Sequence, residues 1–199
     1  ALEIAKQRAV AETEYRLQAD VLEAALAGRF SSEAEVVARA RALGYELEGP
    51  QVALVFALDG GAAAGERPST GSADGHGARD SAGQPRPRLL DAVRRALDAR
   101  QRSALVREQD DRVAVFVPLG GAAITLITAE AEALRRAAAA SLDGAALSVG
   151  VGRPYAGVPG LATGYREAAE ALLIGQTLMG GNRTTYFGDL GIRRLLFPL

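Results

Sequence analysis

Three carboxylates at predicted strand ends are the residues of this chain best suited to chemistry. Asp59 follows a predicted strand over residues 51–58, and Asp110 and Asp111 lie in a polar segment between two further predicted strands. If these strands are neighbours in one sheet, the carboxylates converge, as ligands of a divalent cation must. However, Arg112 adjoins Asp111, and acidic residues are common turn formers. We therefore keep these three only as candidate metal positions, and expect no functional metal site and no cofactor.

Composition excludes most other catalytic classes. The 199 residues include no Cys and one His, so disulfides, thiolate chemistry and a His-based zinc site are excluded. His76 is interpreted as a solvated loop residue. The glycines of residues 60–65 are spaced as in a phosphate-binding loop, but Glu66 stands where Lys is needed, and Gly150 and Gly152 lack the third glycine of a dinucleotide fingerprint. We expect no catalytic residue and no enzyme activity.

Charge argues against nucleic acid as a direct partner. Lys and Arg number 23 against 24 Asp and Glu, which gives a net charge of −1, and no helix-turn-helix pattern is visible. The longest charge-free run, residues 113–129, contains Pro118, Gly120 and Gly121. This pattern predicts a strand and a turn rather than a membrane span, so no membrane partner is expected.

The first 28 residues are predicted to form one long amphipathic helix ending at Gly28. Its apolar residues recur at roughly helical spacing, although Glu14 interrupts the stripe. No capping residue precedes it, so we expect the helix to continue upstream in a longer protein. Two alternatives stay open: pairing with its copy in a homodimer, or packing on its own domain.

The remaining pattern alternates helices and strands. Ser32 and Glu35 form a capping box for a second helix that ends at Gly44. Residues 59–87 hold 7 Gly, 3 Pro and 3 Ser and no apolar side chain larger than Ala, which predicts a disordered insertion. The other predicted helices are 89–100, 129–141 (capped by Thr128) and 160–179, and the other strands are 103–107, 112–117, 147–152 and 184–187.

This order of elements predicts an α+β fold. A β-α-β-β-α-β core is the ferredoxin-like pattern, with a mainly antiparallel sheet covered by helices on one or both faces. We divide the chain into an N-terminal helical linker and second helix, residues 1–45, and a domain over residues 46–199 that carries the insertion.

Several segments together resemble one protein family. They are Leu43-Gly44-Tyr45, the LSVGVG run at 147–152, Tyr165-Arg166-Glu167-Ala168 and, most specifically, the run from Tyr186 to Leu196 (YFGDLGIRRLL). With them, nearly the whole chain resembles the central GGDEF-like domain of PucR/CdaR bacterial transcriptional regulators, with its preceding linker helix. The resemblance implies a nucleotidyl-cyclase-like fold in a cytoplasmic protein, with a helix-turn-helix beyond residue 199 and a sensory domain, on which a small-molecule inducer could act, upstream.

The resemblance also bears on catalysis. Diguanylate cyclases carry Gly-Gly-Asp-Glu-Phe in the hairpin, where the glycines admit the nucleotide and the acids hold metal. The matching positions here are Gln109-Asp110-Asp111-Arg112-Val113. We therefore expect a non-catalytic regulatory and dimerisation domain that relays a signal to a DNA-binding domain outside this chain. The resemblance implies that Asp59, Asp110 and Asp111 are vestigial nucleotide or metal positions. The alternative is a residual nucleotide-binding or cyclase-like domain that uses Asp59 and Asp111.

Overall fold

A five-stranded sheet with helices on both faces organises the chain, as seen in a computed structural model that describes residues 2–60 and 89–191, with side chains from residue 13 onward. Residues 61–87 of the predicted insertion, with His76, and residues 192–196 of the family signature lie outside the described residues. The elements, in chain order, are α1 Leu2–Leu26, α2 Glu33–Ala42, β1 Gln51–Leu58, α3 Leu89–Asp98, β2 Leu105–Gln109, β3 Arg112–Pro118, α4 Ile124–Ala140, β4 Leu147–Val151, α5 Gly157–Leu178 and β5 Thr184–Tyr186.

The strand order confirms the predicted α+β class. The sheet runs β2-β3-β1-β4-β5, with β1 antiparallel to both β3 and β4, and only the β4–β5 pair parallel. Strands β1 to β4 with helices α3 and α4 form the ferredoxin-like unit. Helix α5 and β5 extend that unit by one parallel strand.

Burial on both faces of β1 follows from alternating side chains. Val52, Leu54 and Phe56 pack with α3 and α4 on one face. Ala53, Val55 and Ala57 lie on the opposite face, whose core is completed by α1, α2 and α5. Because side chains alternate along a strand, a central strand covered on both faces needs an almost continuous apolar sequence. The QVALVFAL run of β1 meets this requirement.

The C-terminal half of α1 packs on its own domain. Val21, Leu22 and Ala25 are buried in the core that includes α5 and the sheet. Leu17, on the same helix, keeps 48 % of its surface exposed. Residues 21–25 of α1 therefore pack on their own domain, which was the second of the two alternatives for this helix. Leu17 remains available for other contacts.

Several predicted boundaries were wrong, among them the hairpin turn and the start of α4. The β2–β3 turn comprises only Asp110 and Asp111, because Glu108 and Gln109 continue the ladder opposite Val113 and Arg112. Helix α4 begins at Ile124, so Thr128 lies inside it and donates to the Ile124 carbonyl rather than capping it. By contrast, the predicted cap of α2 is confirmed, since the Glu35 amide donates to Ser32 Oγ at 3.3 Å.

The described helices include none that is both long and apolar enough to cross a lipid bilayer.

Candidate functional site

The three sequence-predicted carboxylates lie at one end of the sheet. Ala57, near the end of β1, is opposite Arg112 at the start of β3. This register brings Asp59 and the Asp110-Asp111 turn to the same end. The expected neighbourhood of strands is therefore correct. What the side chains do there depends on their individual partners.

Asp59 is bonded to the β4–β5 side of the sheet, away from the hairpin. Its Oδ1 accepts from Gln176 Nε2 at 2.9 Å, and its Oδ2 accepts from the Asn182 backbone amide at 2.5 Å. A Cβ at Gly181 would lie 2.9 Å from this carboxylate, so the turn after α5 approaches Asp59 closely because it carries glycine there. Both oxygens of Asp59 thus stabilise the chain's own turn.

The hairpin turn combines an unusual backbone with a loose ion pair. Asp110 adopts a left-handed φ of +55°, which Asp tolerates better than most residues. Asp111 Oδ1 lies 3.9 Å from Arg112 Nε, and 60 % of the Asp111 side chain is exposed. Among residues 2–60 and 89–191, no group of three or more His, Asp or Glu side chains is placed to hold a metal ion.

A polar network around a buried arginine, absent from the sequence prediction, adjoins Asp59. Arg135 of α4 is only 8 % exposed, and its Nη1 donates to Asn182 Oδ1 at 2.6 Å and to the Leu147 carbonyl at 3.1 Å. Its Nε and Nη2 donate to the two oxygens of Glu132 at 2.8 and 2.9 Å. Asn182 therefore connects Asp59 to the Arg135–Glu132 pair across the end of the sheet.

Glu132 collects donors from three side chains. Besides Arg135, its carboxylate accepts from Thr184 Oγ1 at 2.8 Å and from Arg136 Nε at 2.6 Å. The hydrogen bonds from Arg135 outweigh partial burial and lower the pKa of Glu132 to about 2. The acid is therefore ionised at neutral pH and holds α4 to the start of β5. This arrangement is structural, because every carboxylate oxygen is already engaged by the protein.

A buried acid, Glu167, lies at the other end of the sheet. Glu167 of α5, 6 % exposed, accepts from the backbone amide of Arg153 at 3.1 Å, from its guanidinium, and from Tyr155 Oη at 2.7 Å. Burial alone would raise the pKa of Glu167, but these hydrogen bonds hold the pKa below its ordinary value. The cluster fixes the segment after β4 against α5, and Glu167 belongs to the stretch on which the family resemblance rests.

The LSVGVG run is explained by helix packing rather than by nucleotide binding. A Cβ at Gly150 would overlap the backbone of Ala168 and Leu172, and one at Gly152 would overlap the Gly164 carbonyl. Helix α5 therefore lies directly on the backbone of β4. Sequence reasoning assigned these glycines no role in packing.

Comparisons with known proteins agree with this geometry. The model of a family described as GGDEF-like domain matches residues 27–174. A crystal structure of a regulator of polyketide synthase expression from Bifidobacterium adolescentis is similar in fold, with a TM-score of 0.50 and 13 % identity over 91 % of this chain. The chain spans 62 % of that regulator's length. No curated protein matches it. On the strength of the matching model, this chain belongs to the GGDEF-like domain family.

Proposed function

We propose that this chain is a non-catalytic regulatory domain of a cytoplasmic transcriptional regulator of the PucR/CdaR type. It would dimerise and relay a signal from an upstream sensory domain, where an inducer would act, to a helix-turn-helix that follows residue 199. Membership of the GGDEF-like family and the fold shared with a regulator support this proposal. The division into a helical linker over residues 1–45 and a domain over residues 46–199 is part of the same proposal.

The proposal of a non-catalytic domain rests on the residues at the end of the sheet that corresponds to the nucleotide site of cyclases. Asp59 accepts hydrogen bonds from Gln176 and Asn182, and the hairpin offers Asp111 beside Arg112 where paired acids and glycines are needed. A cation beside Asp111, the one hairpin residue that keeps a carboxylate where the cyclase motif has an acid, opposes the assembly of two divalent ions around a triphosphate. These two features support a domain that shares the family's fold but lacks the acids and glycines that a cyclase needs.

We expect that the protein neither binds GTP nor converts it to a cyclic dinucleotide. Incubation with GTP and Mg²⁺ or Mn²⁺, followed by chromatography, should yield no cyclic dinucleotide, and calorimetry at millimolar GTP or ATP should show only heats of dilution. Product formation or binding heat that disappears in Asp111→Ala but persists in Asp20→Ala, a change at an exposed position on α1, would establish the alternative of a residual nucleotide site at Asp59 and Asp111.

Dimerisation is assigned to the exposed side of α1. Leu17 exposes 48 % of its surface on a helix whose neighbouring positions Val21 and Leu22 are buried in the domain. Deleting residues 1–28 would also remove those core side chains, so a point substitution gives a cleaner test. Because about half of Leu17 is already covered, burying the remainder against a second copy stabilises the dimer by about 1–1.5 kcal/mol for each leucine.

Light scattering is expected to report twice the mass of one chain for the unmodified protein and the mass of one chain for Leu17→Asp. A buried aspartate in the interface is unfavourable because its charge loses hydration. Leu126→Asp on α4, where the leucine is 63 % exposed, serves as the matched control and should remain dimeric. A single-chain mass for the unmodified protein, or an unchanged dimer in Leu17→Asp, contradicts the assignment.

A further inference from the structure

Helix α1 contacts the domain through two parts of different chemistry. Its C-terminal part buries Val21 and Leu22 in the core on the face of the sheet that α5 covers. The preceding turns, residues 14–18, contact the domain through the polar side chains of Tyr15 and Gln18. Apolar burial is favourable by itself, whereas a polar contact must first compensate for the hydration that both groups lose. The two parts of α1 therefore differ in how strongly docking is favoured.

Tyr15 reaches a helix on the opposite face of the sheet. Arg94 belongs to α3, which packs on the face that includes Val52 and Phe56, whereas α1 packs on the other face. The Arg94 guanidinium lies 3.4 Å from the centroid of the Tyr15 ring, so this contact passes around the edge of the sheet that β2 forms. A cation over an aromatic ring is attracted to the face of that ring. The contact thus connects two helices that cover opposite faces.

Two buried polar atoms of this interface find no hydrogen-bond partner among the described residues. They are Gln18 Oε1 and Arg94 Nε. Gln18 is only 1 % exposed, and although its amide nitrogen donates to Tyr45 Oη at 2.8 Å, its carbonyl oxygen receives no donor from the part of the chain that the structure describes. A buried polar atom without a partner has lost its hydration without compensation. Docking of residues 14–18 is therefore opposed by a cost that detachment removes, because water then reaches both atoms.

The packing beneath residues 14–18 is also incomplete. A cavity of about 210 Å³ lies there, and its lining includes Tyr15, Gln18, Leu97 and Val106. Side chains that border a cavity lack contact partners on that side and lose the corresponding dispersion attraction. Leu22, in the other part of the helix, is fully enclosed by the core. Residues 14–18 consequently gain less from docking than residues 21–25 do.

We propose that residues 13–18 of α1 detach from the domain and return as a unit, while residues 21–25 stay docked. Local opening of this kind occurs in segments with few buried apolar contacts. Leu17 lies within the detaching segment, so a partner that binds this leucine acts on the same equilibrium. The regulatory meaning of the detachment rests on the proposed relay function, whereas the detachment itself is a property of the 199-residue chain.

Native-state hydrogen exchange, resolved into short peptides by mass spectrometry, tests the proposal in the complete chain. After correction for intrinsic rates, amides of residues 13–20 are expected to exchange about 100-fold faster than those of residues 23–26, with little dependence on denaturant. Equal protection of the two segments overturns the proposal. The exchange rates do not depend on the nucleotide and mass measurements described above, so failure of the proposed function and failure of this inference are distinguishable.

Matched variants distinguish detachment of one part from detachment of the whole helix. Arg94→Ala removes the partner of the Tyr15 ring and is expected to speed exchange of residues 13–20 about tenfold. Arg95→Ala, at the next and exposed position of α3, should change it less than about twofold. Val21→Ala weakens the part that stays docked, so it should speed exchange of residues 23–26 and leave residues 13–20 within about twofold. Equal rates in the two arginine variants, or acceleration of both segments by Val21→Ala, overturns the proposal.

A double substitution tests the unpartnered oxygen without destabilising the contact. Gln18→Met combined with Tyr45→Phe replaces both members of the hydrogen bond by apolar side chains of similar shape and removes the buried carbonyl. Since no polar atom is then left without a partner at these two positions, exchange of residues 13–20 is expected to slow about fivefold. Unchanged or faster exchange contradicts the inference that the unpartnered oxygen opposes docking.

Discussion

Replacing Gly150 by alanine is expected to lower the free energy of unfolding by about 3 kcal/mol or more. The added Cβ would overlap the Ala168 carbonyl oxygen and the Leu172 backbone nitrogen of α5. Neither atom belongs to a flexible side chain, so relief requires moving the helix away from β4. Such a movement would open the core face that also holds Leu161 and Val55.

Urea unfolding followed by far-UV circular dichroism measures this effect. The control is Gly49→Ala, because a Cβ at that exposed position would meet nothing within 4 Å and its backbone needs no left-handed conformation. We expect the control to change stability by less than about 0.5 kcal/mol. If Gly150→Ala is also within that range, the direct contact between helix α5 and strand β4 is wrong.

Glu132→Gln is expected to cost about 2–3 kcal/mol at neutral pH. The substitution keeps the shape of the side chain but removes the charge that faces Arg135, whose guanidinium is largely buried. A buried cation without its partner loses hydration without compensation. The lowering of the Glu132 pKa from 4.5 to about 2 corresponds to about 3 kcal/mol, and the partial exposure of this carboxylate reduces the expected loss to about 2–3 kcal/mol.

The contribution of Glu132 to stability is expected to decrease as the pH falls. Because the folded pKa lies below the unfolded one, the contribution of Glu132 is fully present above about pH 5 and is lost as pH falls towards 2. The difference in stability between the unmodified protein and Glu132→Gln should therefore be largest at pH 7 and shrink steadily below pH 4.5. A constant difference from pH 7 to pH 3 would contradict an ionised Glu132 as its source.

An exposed ion pair provides the control for this experiment. Glu48 lies 2.9 Å from Arg41 on the surface, with more than 60 % of both side chains exposed. Pairs of this kind contribute about 0–1 kcal/mol, because water screens the attraction. Glu48→Gln should consequently change stability far less than Glu132→Gln.

The sequence by itself determined those features that depend on neighbouring residues. The capping box of Ser32 and Glu35 set the start of α2, because a cap is satisfied within one turn. The apolar run of β1 predicted burial on both faces, and the order of elements predicted the ferredoxin-like sheet. Composition likewise excluded cysteine chemistry and a zinc site built from several histidines.

The tertiary structure decided which polar groups meet. Sequence placed Asp59 and Asp110 at one end of the sheet, but the turn after α5 determined that Asp59 bonds to Asn182, 123 residues away. Arg135 and Asn182 are 47 residues apart, and no local pattern predicts their contact. Likewise, only the position of α5 against β4 explains why a side chain is excluded at Gly150. Hydrogen bonds and steric contacts act over a few ångströms, so only the folded chain brings these residues within range.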